Sequence, residues 1–254
     1  MDVVLLGSGN VATHFGNALF HAGHRILQVY SRTRDHAVTL ADSLHAQAID
    51  EVAAIDLTAD IYLIAVKDDA IGTVVAQLPP LQKGVVVHTA GSIELAILAT
   101  HAQRYGVIYP VQTFSLAKPV DFSRVPLAVE ASDEVTYRQL TQFVAPISTR
   151  IFSCDSRQRQ VLHVVAVFAC NFSNHLYAIG ADLLRDHELD FDLIRPLILE
   201  TAQKVMDHFP RNVQTGPAVR KDTGTMQRHL ELLEASHPDL AVLYRQLSER
   251  IYSN

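Results

Sequence analysis

A short glycine-rich turn near the N-terminus constrains the fold of this chain more than any other segment. Val3–Leu6 is an apolar run typical of a buried strand, and the turn Gly7-Ser8-Gly9-Asn10-Val11-Ala12 follows it directly. A helical pattern then extends to about Ala22. A strand, a G-x-G-x-x-A turn and a helix, in this order, form the unit that holds the pyrophosphate of a dinucleotide in Rossmann folds.

Three positions of this turn have a physical role in that interpretation. Gly7 permits the tight turn, Gly9 lets the backbone approach the phosphates without a Cβ, and Ala12 lets the helix pack close to the strand. The free amides and the positive dipole end of the helix would then face the anion. The sequence therefore predicts a nucleotide site at Gly7, Ser8, Gly9, Asn10, Val11 and Ala12.

Short apolar runs alternate with helical patterns up to about residue 150. The predicted strands are Val3–Leu6, Ile26–Tyr30, Ile61–Val66, Val85–His88, Gly106–Tyr109, Leu127–Glu130 and Thr149–Phe152. The predicted helices are Val11–Ala22, Arg34–Leu44, Ala70–Gln77, Ile93–Ala102 and Glu134–Val144. Such alternation implies right-handed βαβ crossovers. We therefore predict an α/β fold in which residues 1–153 form a Rossmann domain with a mostly parallel sheet.

The pattern changes after about Ser153. Gln158–Leu184 predicts one long helix without proline that is apolar almost all round, so it should be buried as the spine of a second domain or in a dimer interface. Further helices are predicted at Phe191–His208, Asp222–Ala235 and Pro238–Tyr252. We therefore expect an all-α domain over residues 154–254 that holds the substrate and forms a homodimer.

Composition narrows the class of protein. The net charge of −6 argues against a nucleic-acid partner, and no apolar run approaches the roughly 20 residues that span a bilayer. The N-terminus lacks the pattern of a signal peptide. Cys154 and Cys170 are too few for a disulfide framework, and the 13 histidines form no H-E-x-x-H motif. We expect a cytoplasmic protein with no metal site and no membrane or nucleic-acid partner.

The residues after the second predicted strand indicate which nucleotide binds. NAD-binding folds place a carboxylate there, whereas this chain continues Ser31-Arg32-Thr33-Arg34. Hydroxyl and guanidinium groups bind a 2′-phosphate that a carboxylate would repel. We therefore predict NADP(H), with a solvated turn of mixed charge as the alternative. Val66 and Lys67 end the next predicted strand and should lie beside the cofactor, while Asp68 and Asp69 are interpreted as helix N-caps.

Several motifs together resemble a known family. GSGNVA at residues 7–12, SRT at 31–33 and AVKDD at 65–69 are similar to the NADP-binding domain of pyrroline-5-carboxylate reductases and deazaflavin-dependent NADP oxidoreductases. VVHTAGS at 86–92 and YPVQTFS at 109–115 resemble a bacterial NADP oxidoreductase family with an uncharacterised helical C-terminal domain. FACNFSNH at 168–175 and GPAVRKD at 216–222 fit the same family, so the resemblance covers essentially the whole chain.

The resemblance also excludes one mechanism. The wider superfamily includes 6-phosphogluconate and 3-hydroxyisobutyrate dehydrogenases, whose long helix carries a K-x-x-x-N pair with lysine as the acid/base. When Asn171 is aligned with that asparagine, Val167 stands in the place of the lysine. A β-hydroxyacid dehydrogenase mechanism is therefore not expected, whereas pyrroline-5-carboxylate reductases work without the lysine.

Polar residues in apolar surroundings are the candidates for chemistry. Asn171 and Asn174 share one face of the long helix, and His163 lies about two turns earlier. A histidine, with a reference pKa of about 6.5, can donate a proton at neutral pH. His88 ends a predicted strand near the expected nicotinamide position. For the three residues of the long helix, the alternative is that their polar groups hydrogen-bond one another within a helical core.

Two further residues are candidates for binding the substrate. Gln112 follows the strand predicted at Gly106–Tyr109 and could line a substrate pocket. Arg220 lies in a loop before a helix and could bind a carboxylate or phosphate. Alternatively, Arg220 is solvated and Asp222 caps the helix that follows.

Together these observations predict NADP(H)-dependent hydride transfer to or from a small substrate with a C=N or C=O bond, bound in the cleft between the domains. Two alternatives remain open. One is hydride exchange between NADP and a deazaflavin, coenzyme F420. The other is a non-catalytic protein that senses or binds NADP(H), which the missing lysine motivates.

Overall fold

An eight-stranded sheet organises the N-terminal part of the chain. The computed structural model describes residues 1–81 and 83–253. The strand order is β3-β2-β1-β4-β5-β6-β7-β8, with neighbours parallel except for the β6–β7 pair. The strands are β1 (Asp2–Leu6), β2 (Arg25–Tyr30), β3 (Gln47–Ile49), β4 (Ile61–Ile64), β5 (Val85–His88), β6 (Tyr105–Pro110), β7 (Leu127–Ala131) and β8 (Ile151–Ser153). The order reverses between β1 and β4, which is the switch point where open α/β sheets bind ligands.

Helices cover both faces of this sheet. In β1, Val3 and Leu5 face one core while Val4 and Leu6 face the other, as the period of two in a strand requires. The first core is closed by helices α1 (Asn10–His21), α2 (Arg34–Ser43) and α4 (Glu134–Val144), and the second by α3 (Ile71–Ala76). Strands buried on both faces explain the nearly continuous apolar runs of the sequence.

The predicted α/β fold with a mostly parallel sheet is confirmed, with two local corrections. The three-residue edge strand Gln47–Ile49 was not predicted, because it is too short and too polar to stand out. The segment expected to be a helix at Ile93–Ala102 contains a short 3₁₀ helix, Leu95–Leu98, instead. Two hydrogen bonds from outside fix this segment: Arg159 donates to the carbonyl oxygen of Ile93, and the Leu95 amide donates to Ser156 Oγ.

The predicted long helix is present, with an interruption. It consists of α5 (Ser156–Ala166), a π-helical segment (Val167–Phe172) and α6 (Ser173–Asp186). Asp155 and Gln158 form a capping box at its start. The remaining helices are α7 (Arg195–Asp207), α8 (Thr223–Ser236) and α9 (Pro238–Tyr252). π-helical segments are rare and frequently occur at functional sites.

This helix is not buried within the chain, contrary to one of the two interpretations of its sequence. Val164 is 53% exposed and Phe168 is 65% exposed. By length and composition alone, Ser156–Asp186 could cross a membrane, although polar residues interrupt its apolar runs. The core helix of a soluble protein passes the same test, so this is weak evidence of a membrane span.

The chain divides into two compact units, Met1–Leu176 and Tyr177–Asn254. Strand β8 ends at Ser153, where the change of pattern was predicted, but the division into units falls inside the long helix. Helix α5 belongs to the first unit because it is docked on the sheet through Arg159, whose side chain is fully buried. In the second unit, the end of α6 is tied to the start of α9 by the Asp186–His237 contact.

Candidate functional site

The glycine turn after β1 is packed against the end of β4. Gly7 has φ +137°, and a Cβ built on it would overlap the backbone carbonyl of Ala65. Its amide donates to the carbonyl oxygen of Tyr30 at 2.9 Å. Gly7 is therefore required both by its backbone conformation and by the close approach of two strands. This contact places the turn next to Ala65 and Val66, while the roles of Val66 and Lys67 as cofactor contacts stay a prediction.

The N-terminus of α1 is open. Gly9 is its N-cap, no side chain accepts a hydrogen bond there, and the first turn contains no acidic residue. A Cβ on Gly9 would meet no heavy atom within 4 Å. The amides of this 12-residue helix and its positive dipole end are thus available to an anion. The residues present fit a dinucleotide pyrophosphate.

The residues predicted to hold the 2′-phosphate lie beside this turn. The hydroxyl of Ser8 donates to Ser31 Oγ at 2.9 Å, and the Thr33 amide donates to the same oxygen at 3.3 Å. The two arginines differ, which the sequence could not show. Both are exposed, but Arg34 lies 3.2 Å from the Asp50 carboxylate, whereas Arg32, just before α2, makes no ion pair among the described residues.

A tyrosine and a histidine meet at the same edge of the sheet. Tyr109 Oη, near the end of β6, lies 3.2 Å from His163 Nδ1 of α5. Their rings pack edge to face with centroids 6.0 Å apart. Both rest on Gly91, where a Cβ would lie 2.8 Å from His163 Nδ1 and 2.9 Å from Tyr109 Cε2. His163 was predicted as a site residue, whereas Tyr109 was not.

A buried arginine holds α5 against this edge. Arg159 is fully buried and pairs with Glu130 of β7. Its other nitrogens donate to the carbonyl oxygens of Ala90, at 3.2 Å, and Ile93. Ser156 completes the network by donating to Glu130 through its amide and hydroxyl. The guanidinium therefore has hydrogen-bond partners at every nitrogen, as a buried charge requires.

A serine hydroxyl and an aspartate carboxylate form a second contact near the turn after β5. The Ser92 hydroxyl donates to the Asp68 carboxylate, and both residues are exposed. Asp68 and Asp69 were interpreted as helix caps, which is wrong. The 3₁₀ helix Asp68–Ala70 has Lys67 as its N-cap and no capping side chain, because Asp68 bonds across to the neighbouring turn instead.

His88 is buried in the core at the end of β5. It is 0% exposed, its Nδ1 accepts from the Ala90 amide at 3.2 Å, and its Nε2 has no partner within the described residues. Burial, and secondarily the charge of Arg159, lowers the pKa of His88 to about 3. The ring is therefore neutral, and its Nδ1 supports the turn before Gly91, while a catalytic role for His88 stays a prediction.

The other predicted substrate residues are all exposed. Asn171 lies in the π-helical segment and Asn174 at the start of α6, and both are exposed. Gln112 is exposed, and its side chain accepts from the Thr113 amide at 2.8 Å. Arg220 belongs to the second unit, just before α8, and is also exposed. Asp222 is the N-cap of α8, as the alternative interpretation of that loop held.

The loop after β6 is attached to the nucleotide-binding helix. Asn10 Nδ2 donates to the Phe114 carbonyl at 2.9 Å, and His14 Nε2 lies 3.0 Å from the Ser115 carbonyl oxygen. The loop that contains Gln112 is thereby held beside the first turn of α1. Among the described residues no group of His, Cys, Asp and Glu could hold a metal ion.

Sequence reasoning missed Tyr109, Gly91 and the Arg159–Glu130 pair. A polar ring at the carboxyl end of a strand was the available signal for Tyr109, because strand ends face the ligand crevice. Nothing local marks Arg159, whose charge would ordinarily indicate a solvated helix face. Its partners are far away in sequence, and the fold alone brings them together.

Two family models and a solved structure match this chain. A family described as NADP oxidoreductase, coenzyme F420-dependent, matches residues 2–91, and a domain of unknown function, DUF2520, matches residues 125–251. The putative NADP oxidoreductase from Bacteroides fragilis is 40% identical, with a TM-score of 0.91 over 100% of this chain and 98% of that one. No protein with a curated description matches.

More distant structures share the fold alone. The imine reductase from Myxococcus stipitatus, solved with NADP⁺, is 16% identical with a TM-score of 0.65 over 100% of this chain and 92% of its own. The 1-pyrroline-5-carboxylate reductase from Streptococcus pyogenes is 14% identical with a TM-score of 0.66 over 100% and 99%.

The two glycines of the turn should respond differently to the same substitution. Gly7→Ala should lower the free energy of unfolding by about 2 kcal/mol or more, because a Cβ there is strained and overlaps β4. Gly9→Ala should change it by less than about 1 kcal/mol, but it should weaken NADPH binding at least roughly tenfold by occupying the phosphate space. Urea denaturation and calorimetric titration measure the two effects. Unchanged NADPH affinity in Gly9→Ala would contradict the assignment of the turn.

Proposed function

This chain belongs to the same NADP oxidoreductase family as the Bacteroides fragilis protein, and we propose that it transfers hydride between NADP(H) and a small substrate with a C=N or C=O bond. The 40% identity and essentially complete coverage of both chains support the cofactor and the reaction class. The imine and pyrroline-5-carboxylate reductases that share its fold suggest the C=N bond as the first substrate class to test.

The observation that carries this proposal is the open N-terminus of α1 behind the Gly7–Gly9 turn. The turn abuts the end of β4, and the turn after β5 and the end of β6 supply polar groups at the same edge. When bound, a nicotinamide cofactor supplies hydride chemistry. The protein then has to bind the phosphates, orient the substrate and supply a proton.

The preference for NADP(H) over NAD(H) is supported by the groups after β2. Ser31 is held by Ser8, so its hydroxyl is fixed next to the glycine turn. We assign Arg32 as the main partner of the 2′-phosphate, because it makes no ion pair among the described residues, whereas Arg34, which is also exposed, is paired with Asp50. Thr33 contributes the N-cap position of α2, where an anion is stabilised by the helix dipole.

We propose that His163 takes part in supplying the proton, because it is the histidine of α5 in contact with another polar side chain at the carboxyl edge of the sheet. Asn171 and Asn174 are proposed to orient the substrate, since their amides are exposed on the continuation of the same helix. Gln112 is proposed as a substrate contact from the loop held by Asn10. We propose that Arg220, which belongs to the second unit, binds a carboxylate.

A second candidate function is hydride exchange between NADP and coenzyme F420. It is favoured by the description of the family that matches residues 2–91. The deazaflavin absorbs and fluoresces in the visible range, so its reduction by NADPH would be observed directly. Reduction of F420 without turnover of any imine or ketone would select this candidate.

We also propose that the protein is a homodimer formed through the long helix. Val161, Val164, Val165, Phe168 and Phe172 are each at least half exposed on α5 and the π-helical segment. Apolar side chains so concentrated are stabilised when a second surface covers them. Sedimentation equilibrium should give twice the chain mass of 28.1 kDa. A monomer at micromolar concentration would contradict this.

The cytoplasm is the proposed compartment. Cys154 and Cys170 are both free, as is usual where thiols are kept reduced. Fractionation of the source cells would test this assignment.

Arg32 and Arg34 provide a matched pair of variants for testing the preference for NADP(H) over NAD(H). Arg32→Ala should raise the Kd for NADPH at least roughly tenfold, the loss of one charge-assisted contact, and leave the Kd for NADH unchanged. Arg34→Ala should have a smaller effect, because the Asp50 carboxylate 3.2 Å away offsets part of that charge. Calorimetric titration of both variants with both nucleotides is the measurement. Equal losses for NADPH and NADH would contradict the 2′-phosphate assignment.

The reaction itself is tested by following NADPH absorbance with cyclic imines and ketones, for example 2-methyl-1-pyrroline and cyclohexanone. We expect turnover that requires NADPH. In Asn171→Ala the turnover should fall while the affinity for NADPH is retained. Tight NADPH binding without any turnover would instead indicate a nucleotide-sensing protein. Failure to bind either nucleotide would contradict the whole proposal.

A further inference from the structure

We propose that Tyr109 is the residue that donates the proton to the substrate, and that His163 positions its hydroxyl and returns the proton to it. This inference rests on the proposed oxidoreductase function. It adds a catalytic residue that the sequence motifs did not indicate. It also changes the role of His163 from direct donor to the link between the tyrosine and water.

The position of the tyrosine hydroxyl is fixed from both sides. The ring of Tyr109 packs in a small core with Val107, Ala128 and Cys154, and the residue is 8% exposed. Its Oη is 3.2 Å from His163 Nδ1, and this is the hydrogen bond seen for that hydroxyl among the described residues. A hydroxyl on a rigid ring, with one neighbour at hydrogen-bond distance, retains capacity for a second partner.

Gly91 explains why the pair can form at this place. A Cβ there would lie 2.8 Å from His163 Nδ1 and 2.9 Å from Tyr109 Cε2, so a larger residue would push the two rings apart. The backbone of Gly91 is in turn held by Arg159, through the carbonyl oxygens of Ala90 and Ile93 on either side of it. The turn, the tyrosine and the histidine are therefore one rigid unit.

The charges around the tyrosine keep it protonated. Burial raises the pKa of Tyr109, and the carboxylate charge of Asp68 raises it further, while Arg159 lowers it. In neutral solution the hydroxyl therefore carries its proton. The same surroundings disfavour a lasting phenolate, so a nearby group must return the proton quickly.

His163 can do so with a balanced set of bonds. In the reductive direction the substrate carbon gains hydride from the reduced nicotinamide, and the π-electron pair of C=N or C=O moves to the heteroatom. That atom takes the proton of Tyr109 Oη as the O–H bond breaks. The oxygen then takes the Nδ1 proton of His163, while Nε2 takes one from water and the ring stays neutral. The sum is oxidation of one NADPH and uptake of one solvent proton.

The experiment compares Tyr109→Phe with Tyr105→Phe, a control at the opposite end of the same strand. With NADPH and 2-methyl-1-pyrroline or cyclohexanone, Tyr109→Phe should lower kcat roughly 100-fold or more, the usual range for loss of an acid catalyst. KM and the Kd for NADPH should stay within about threefold, since binding groups are untouched. The control should match the wild type, and thermal unfolding checks that both variants fold.

A second pair of variants separates positioning from packing. His163→Gln retains a hydrogen-bond donor toward Tyr109, whereas His163→Leu removes it, so the glutamine variant should keep more of the kcat. Independently of activity, the ¹⁵N resonance of His163 Nδ1 in the ligand-free protein should shift in Tyr109→Phe and not in Tyr105→Phe. Gly91→Ala should cause the same shift, and Gly72→Ala, where a Cβ has ordinary 3.5 Å contacts, should not.

The outcomes distinguish this inference from the function on which it rests. If the wild type turns over and Tyr109→Phe retains its kcat within about threefold, the role of Tyr109 is refuted and the function stands. An unshifted His163 resonance in Tyr109→Phe refutes the pairing. If the wild type reduces no imine or ketone at all, the proposed function fails and this inference fails with it.

Discussion

The buried guanidinium of Arg159 is the interaction on which the arrangement of the site depends. It joins three elements that are distant in sequence: α5, the turn after β5 and Glu130 of β7. A fully buried charge must be paired and hydrogen-bonded, and removing one partner of such a pair typically costs about 3–5 kcal/mol. Because all its partners are fixed, the helix has one docking position, and His163, one turn further along, is brought to Tyr109.

The nucleotide end of the site rests on a different constraint, which is steric. Gly7 lets the turn after β1 touch the backbone of β4, and no other residue would fit both the conformation and the space. This contact joins the two halves of the sheet at the point where the strand order reverses. The anion-binding helix and the polar groups after β4, β5 and β6 thereby share one edge, as hydride transfer between a bound nucleotide and a substrate requires.

Predictions from the sequence succeeded where the signal was local. The strands and the Gly7–Ala12 turn follow from alternating short apolar runs and from the backbone demands of a tight turn. Predictions from the sequence were less successful for the burial of individual residues. His88 has the appearance of a strand-end catalytic group, yet it lies in the core with a pKa lowered to about 3 by burial. The long helix has a buried-type sequence, yet Phe168 is 65% exposed in the single chain.

The amino-acid sequence by itself determined the fold class, the nucleotide turn and the basic segment after β2, because each depends on neighbours within a few residues. The tertiary structure alone decided that Arg34, and not Arg32, is paired with Asp50. It also decided that Tyr109 and His163 meet over Gly91, 54 positions apart in the chain. Such pairings depend on how strands and helices pack. The charge or hydrogen-bonding capacity of a side chain alone does not determine which distant residue becomes its partner.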